Sequence, residues 1–210
     1  LTRMLVEELP ALSKEEMQRI AVIMRDAAER HYELLENLLK WSMMQCGKLT
    51  FNPQPFNVLR AVLPIAGSIR DANSKKNLRI TCEIPEDLMV MADQAMFDSL
   101  IRNLVYNSVK YTHTGGQIRI AAQAVPDHSI EITVRDNGIG MSEQMLDNLF
   151  IMGKTVNRRG TDMEPSTGLG LYICKDFIEQ HGGRFWAESE VDKGSTFHFT
   201  LPAWRDEAVE

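Results

Sequence analysis

Apolar positions along the first quarter of the chain recur in helical steps. Met17, Ile20, Met24, Ala27, His31, Leu34, Leu38 and Trp41 follow one another at alternating spacings of three and four, and Ala21, Ala28 and Leu35 widen the stripe. Ser13 followed by Glu16 is a capping box, in which hydroxyl and carboxylate each satisfy a backbone N–H at a helix start. The pattern predicts a helix from about Lys14 to about Cys46, with Gly47 as its stop. One helix cannot bury so broad an apolar face. It needs a preceding helix and a second chain, which points to a helical hairpin completed by dimerisation.

Beyond Gly47 the periodicity shortens. Asn52-Pro53-Gln54-Pro55 breaks any helix and marks a boundary. A helix is expected from about Val58 to Asn73, with Pro64 a candidate kink. Residues 78–84 and 88–92 read as strands, and Asp93 can cap a helix running to about Lys110. Ile118, Ile120 and Ala122 alternate as in a strand, and so do Ile130, Ile132 and Val134, ahead of Asp136-Asn137-Gly138. A short helix near 143–149, a polar aperiodic stretch over 151–167, a helix over 168–181 and strands at 184–189 and 195–201 complete the order. Without strict βαβ alternation, the expectation is α+β: a two-layer α/β sandwich, its mixed sheet covered by helices on one face, after the long hairpin helix. The domains expected are 1–49, 50–204 and a tail at 205–210.

Composition narrows this little, charge somewhat more. The 210 residues are 44% hydrophobic and 25% charged, ordinary for a globular chain. A net charge of -6 argues against a nucleic-acid partner, which asks for a basic footprint. Cys46, Cys82 and Cys174 are too scattered for a disulfide framework or a zinc site and suit a reducing, cytoplasmic setting. No apolar run approaches the ~20 residues that cross a bilayer. The opening Leu-Thr-Arg-Met reads as a cut, so a membrane anchor is expected only in sequence outside these residues.

Four clusters carry chemistry. Asn103, Asn107 and Lys110 share one helical face, either solvated or ligand-binding. Asp136-Asn137-Gly138-Ile139-Gly140-Met141 sets a carboxylate at a strand end before two glycines, which is ordinary turn chemistry or a close backbone approach to a flat ligand. Thr167-Gly168-Leu169-Gly170-Leu171 opens a helix, where free N–H groups and the positive dipole end suit phosphate. Neither common glycine pattern fits: the dinucleotide fingerprint needs glycine where Ile173 stands, and the Walker pattern ending in Gly153-Lys154-Thr155 needs glycine where Asn148 stands. Between these clusters, the 151–167 stretch holds Lys154, Arg158 and Arg159.

In this order, Asn103-Leu-Val-Tyr-Asn107-Ser-Val-Lys110-Tyr111, Asp136-Asn-Gly-Ile-Gly140, Phe150 and Thr167-Gly-Leu-Gly170-Leu resemble the asparagine, first glycine, phenylalanine and second glycine boxes of the sensor histidine kinase catalytic domain. The resemblance covers roughly residues 50–202. Residues 34–42 and Gly47-Lys-Leu look like the second helix of that family's dimerisation and phosphotransfer hairpin and its exit. It implies ATP and Mg²⁺ as cofactors, a homodimer through the hairpin and a response-regulator receiver domain as partner.

By resemblance, Asp136 accepts a hydrogen bond from the adenine amino group, and Asn107, with Asn103, holds Mg²⁺. Lys110 contacts phosphate, Tyr111 the nucleotide near its sugar, and Gly138 and Gly140, with Met141 beside them, pack under the base. Phe150, Lys154, Thr167, Gly168, Leu169, Gly170 and Leu171 belong to the lid and phosphate contacts. Thr196 supports Asp136 through water. Related ATPases of the Hsp90, gyrase and MutL type place a glutamate where Asn103 stands; an amide is no general base, which disfavours hydrolysis. The alternatives are a degenerate binding module and a hydrolysing ATPase. The family's phosphorylated histidine has no counterpart in residues 1–13, and His31 reads as a packed core residue, so no autophosphorylation is expected.

Overall fold

The computed structural model describes residues 13, 16–22, 24, 51–151, 160–161 and 170–205. The chain divides into two compact units, Leu1–Thr50 and Phe51–Glu210.

In the first unit, residues 16–22 and 24 are helical. The capping box is made: the Glu16 N–H donates to Ser13 Oγ at 3.2 Å, and the Ser13 N–H donates to Glu16 Oε2 at 2.8 Å. His31, Leu34, Leu38 and Trp41 lie outside the described residues.

The second unit runs β1 (Gln54–Asn57), α1 (Val58–Ala72), a 3-10 turn (Ser74–Lys76), β2 (Arg79–Glu83), β3 (Met89–Ala92), α2 (Gln94–Tyr111), β4 (Gln117–Val125), β5 (Ser129–Asp136), α3 (Glu143–Asn148), α4 (Gly170–Gln180), β6 (Phe185–Glu190) and β7 (Gly194–Pro202). Asn57 caps α1 by accepting the Arg60 N–H, and Asp93 caps α2 by accepting the Met96 N–H. Pro64 lies within α1 on its exposed side, and the helix continues through it to Ala72.

Five strands form a mixed sheet in the order β2-β4-β5-β7-β6, with β2 parallel to β4 and every other pairing antiparallel. Strand alternation separates two faces. Ile118, Ile120, Ile130, Ile132, Val134, Phe197, Phe199 and Leu201 are buried and join Val62, Ile69, Ile101, Leu104, Val105, Cys174 and Ile178 from the helices in one core. The opposite face carries Arg119, Glu131, Thr133, Arg135, Thr196 and His198. This is the α+β sandwich expected. One element was not: Gln54–Asn57 pairs with β3 as a separate two-stranded sheet. Prolines argue against a central strand, but an edge strand tolerates their missing N–H groups.

Among the described residues, no helix is long and apolar enough to cross a membrane.

Candidate functional site

The C-terminal half of α2 and the end of β5 meet at one buried carboxylate. Asp136 closes β5 on its inward face and is 4% exposed. Its Oδ1 accepts the Gly138 N–H at 3.0 Å and the Ser195 N–H at 3.1 Å, while its Oδ2 accepts the Ser108 hydroxyl at 3.2 Å. Burial pushes the Asp136 carboxyl above the usual range, and the three donors pull it partway back. A carboxylate has about four acceptor positions, so roughly one is left for a donor arriving from outside.

The backbone after Asp136 is held from two sides. The Ile139 N–H donates to the Tyr111 carbonyl at the end of α2 (3.0 Å), and the Ile139 carbonyl accepts the Asp192 N–H from the β6–β7 turn (3.1 Å). A Cβ on Gly138 would lie 2.2 Å from the Tyr111 carbonyl oxygen, and one on Gly140 would lie 1.8 Å from that of Glu190. These two glycines therefore admit the protein's own backbone. Met141 donates its N–H to Ser189 Oγ at 2.8 Å and packs on the core.

One side chain joins α2 to the start of α4. Asn103 Nδ2 donates to the Gly170 carbonyl at 3.2 Å, and a Cβ on Gly170 would lie 2.4 Å from Asn103 Oδ1. Asn103 also hydrogen-bonds the Cys174 thiol, whose burial pushes its pKa up to about 12. Its amide is thus committed to α4. Asn107, one turn on and half-buried, shares its helical face and is the better candidate for a metal. An amide oxygen suits a hard cation such as Mg²⁺, which needs few protein ligands beside phosphate oxygens. Lys110 follows on the same face, its Nζ 5.1 Å from the Tyr111 ring centroid.

Other expected site residues are placed by their contacts. Phe150 lies against Phe185 of β6, with ring centroids 4.7 Å apart, and Leu171 packs on the core. Thr196 pairs with Arg135, which puts it on the sheet face away from Asp136. Ser195 takes the place expected of Thr196, and contacts the carboxylate directly through its backbone. Lys154, Thr167, Gly168 and Leu169 lie outside the described residues.

Three contributors escape a reading of the sequence: Ser108, Ser195 and Gly194. Ser108 left a signal, as a polar residue in the buried Ile101, Leu104, Val105, Val109 stripe. Gly194 has φ +99°, and a Cβ there would lie 2.1 Å from the Asp136 carbonyl oxygen. Strand pairing brings Ser195 and Gly194 to Asp136, and packing of α2 on the sheet brings Ser108.

The comparisons with known proteins give the family. The histidine kinase-, DNA gyrase B- and HSP90-like ATPase family matches residues 92–205, from the cap of α2 to the end of β7. The chain is similar to the adaptive-response sensory kinase SasA of Synechocystis sp., at 31% identity over 173 residues, covering 82% of this chain and 45% of that one. It spans about half the length of the curated relatives it matches. Among solved structures, the catalytic domain of histidine kinase ThkA aligns with TM-score 0.62 and 26% identity, covering 73% of this chain and 96% of that one. ThkA in complex with the response regulator protein TrrA aligns with TM-score 0.73 over 96% of this chain and 56% of that one, at 22% identity, a likeness of fold. The chain belongs to the histidine kinase-, DNA gyrase B- and HSP90-like ATPase family, as a catalytic domain of the histidine-kinase kind.

Proposed function

We propose that this chain is the ATP-binding catalytic portion of a sensor histidine kinase, transferring the γ-phosphoryl of Mg-ATP to a histidine supplied by the hairpin region of the whole protein. Asp136 carries the reading. A buried carboxylate is costly to a fold, and this one keeps an acceptor position while held by Ser108 of α2, the helix that also carries Asn107 and Lys110. The roles follow from charge and hydrogen-bond capacity. Asp136 accepts the adenine amino group, Asn107 offers its amide oxygen to Mg²⁺, and Lys110 neutralises phosphate. A Mg²⁺ ion held by Asn107 would supply neutralisation of the phosphate charge. Since phosphoryl transfer depends mainly on positioning and charge, this set needs no protein nucleophile beyond the accepting histidine.

Asn103 favours transfer over hydrolysis, because its amide is engaged by Gly170 and cannot activate water. We further infer a response-regulator receiver domain as the downstream partner, supported by the ThkA–TrrA complex, and a homodimer through the hairpin, supported by the apolar stripe of residues 17–41.

Calorimetry with ATP and GTP tests the pocket. ATP should bind more tightly by about tenfold or more, because the guanine carbonyl would face the carboxylate and forfeit a charged hydrogen bond. Equal affinities would remove Asp136 from the site. With radiolabelled ATP, no label is expected on His31.

A further inference from the structure

Lys76 is the only buried lysine among the described residues, 7% exposed at the end of the 3-10 turn. Its ammonium donates to the Val109 carbonyl at 3.0 Å and to Thr161 Oγ1 at 2.9 Å. Its own carbonyl accepts the Gly115 N–H at 2.8 Å, so backbone and side chain are both fixed.

Thr161 continues the arrangement. Its N–H donates to the Lys110 carbonyl at 2.9 Å, and its hydroxyl lies 3.1 Å from that oxygen and 3.2 Å from the Thr112 carbonyl, within donating range of both. The Tyr111 carbonyl between them takes the Ile139 N–H. A helix ends with four carbonyls lacking intrahelical partners. Here four consecutive carbonyls, from Val109 to Thr112, are met by donors from three distant parts of the chain. A cation at this end also suits the helix dipole.

Such an end is held more firmly than capping requires, and the residues so held are Lys110 and Tyr111. We propose that Lys76, acting through Thr161, is a positioning residue that sets the last turn of α2 so that the Lys110 ammonium meets the nucleotide phosphates. This rests on the ATP site proposed above. Lys76 itself touches no nucleotide. Its effect falls on the phosphate end of the ligand and spares the adenine end at Asp136.

The test is calorimetric titration of the 210-residue chain with Mg-ATP and, separately, with adenosine. Thr161→Val removes the hydroxyl and keeps the side-chain shape, Lys76→Met removes the ammonium, and Thr161→Ser restores the hydroxyl. In Thr161→Val and Lys76→Met, ATP should weaken by about three- to tenfold while adenosine stays within about twofold. Thr161→Ser should bind ATP like the wild type, and in a Lys110→Ala background neither change should weaken ATP further.

Unchanged ATP affinity in folded Thr161→Val, adenosine weakened as much as ATP, or a loss that persists without Lys110 would each overturn the proposal. Should Lys76→Met fail to fold by circular dichroism, Thr161→Val decides. A wild-type chain that bound no ATP would sink the site itself and this proposal with it, whereas normal ATP binding in Thr161→Val sinks only the Lys76 role.

Discussion

At the scale of single residues, Asp136 sets its proposed role in binding adenine against stability. Its folded-state carboxyl is raised by burial, so the folded chain holds that proton more tightly than the unfolded one. The contribution is therefore full below the unfolded carboxylate pKa and is lost as pH rises through the folded value. Near neutrality the ionised group works against the fold. Asp136→Asn can keep all three partners, with its carbonyl oxygen taking the Gly138 and Ser195 N–H groups and its amide donating to Ser108. It should melt no lower than the wild type at pH 7.5 while ATP affinity falls by about ten- to a hundredfold. Ser108→Ala, which strips one orienting donor and leaves the charge, should weaken ATP by about two- to tenfold. A calorimetric series through wild type, Ser108→Ala and Asp136→Asn checks this ranking.

At the scale of elements, the pieces were legible where a period was long enough to read. α2 and its Asp93 cap, the alternation of β4 and β5, and the Ser13–Glu16 box all appear as expected, because each is written in residues close together in the chain. β1 was hidden by Pro53 and Pro55, whose effect depends on whether a strand lies at an edge, which only pairing decides. The partners of Asp136 were hidden in the same way: Ser195 comes 59 residues later and meets the carboxylate through a backbone N–H that any residue type could offer. The glycines were legible as a motif, but the backbone they abut was not. Gly140 has φ +56° and abuts the Glu190 carbonyl. Gly140→Ala should therefore lower stability by about 1–3 kcal/mol through strained backbone alone, before any displacement of Glu190. A urea midpoint equal to the wild type would show that the hairpin can yield there.

Across the molecule, α4 is tied to α2 and its cap at both of its own ends. Asn103 meets Gly170 near the start of α4, and at its far end His181 Nε2 accepts the Asp93 N–H at 2.9 Å. That bond makes Nε2 the unprotonated nitrogen, with Nδ1 donating to the Phe177 carbonyl at 2.6 Å. Burial lowers the His181 pKa, against smaller opposing effects of the Phe177 carbonyl and the Asp93 charge. For a histidine with a depressed folded value, stability is full above the unfolded pKa of about 6.5 and falls as pH drops below it toward the folded value. Denaturant midpoints should thus decline between pH 7.5 and 5.5. His181→Gln should flatten that decline, since its amide oxygen can accept the Asp93 N–H and carries no proton to gain. A decline of equal slope in the variant would assign the effect elsewhere.

The turn joining β6 to β7 looks like plain surface, with Val191 half exposed, yet it abuts the backbone around Asp136, the residue proposed to take adenine. Asp192 braces Ile139, and Gly194 abuts the backbone of Asp136. A label, epitope or extra residue spliced in at 191–193 should accordingly register as altered nucleotide affinity. The same insert in the β4–β5 turn around Asp127, at the other end of those strands, should go unnoticed by ATP.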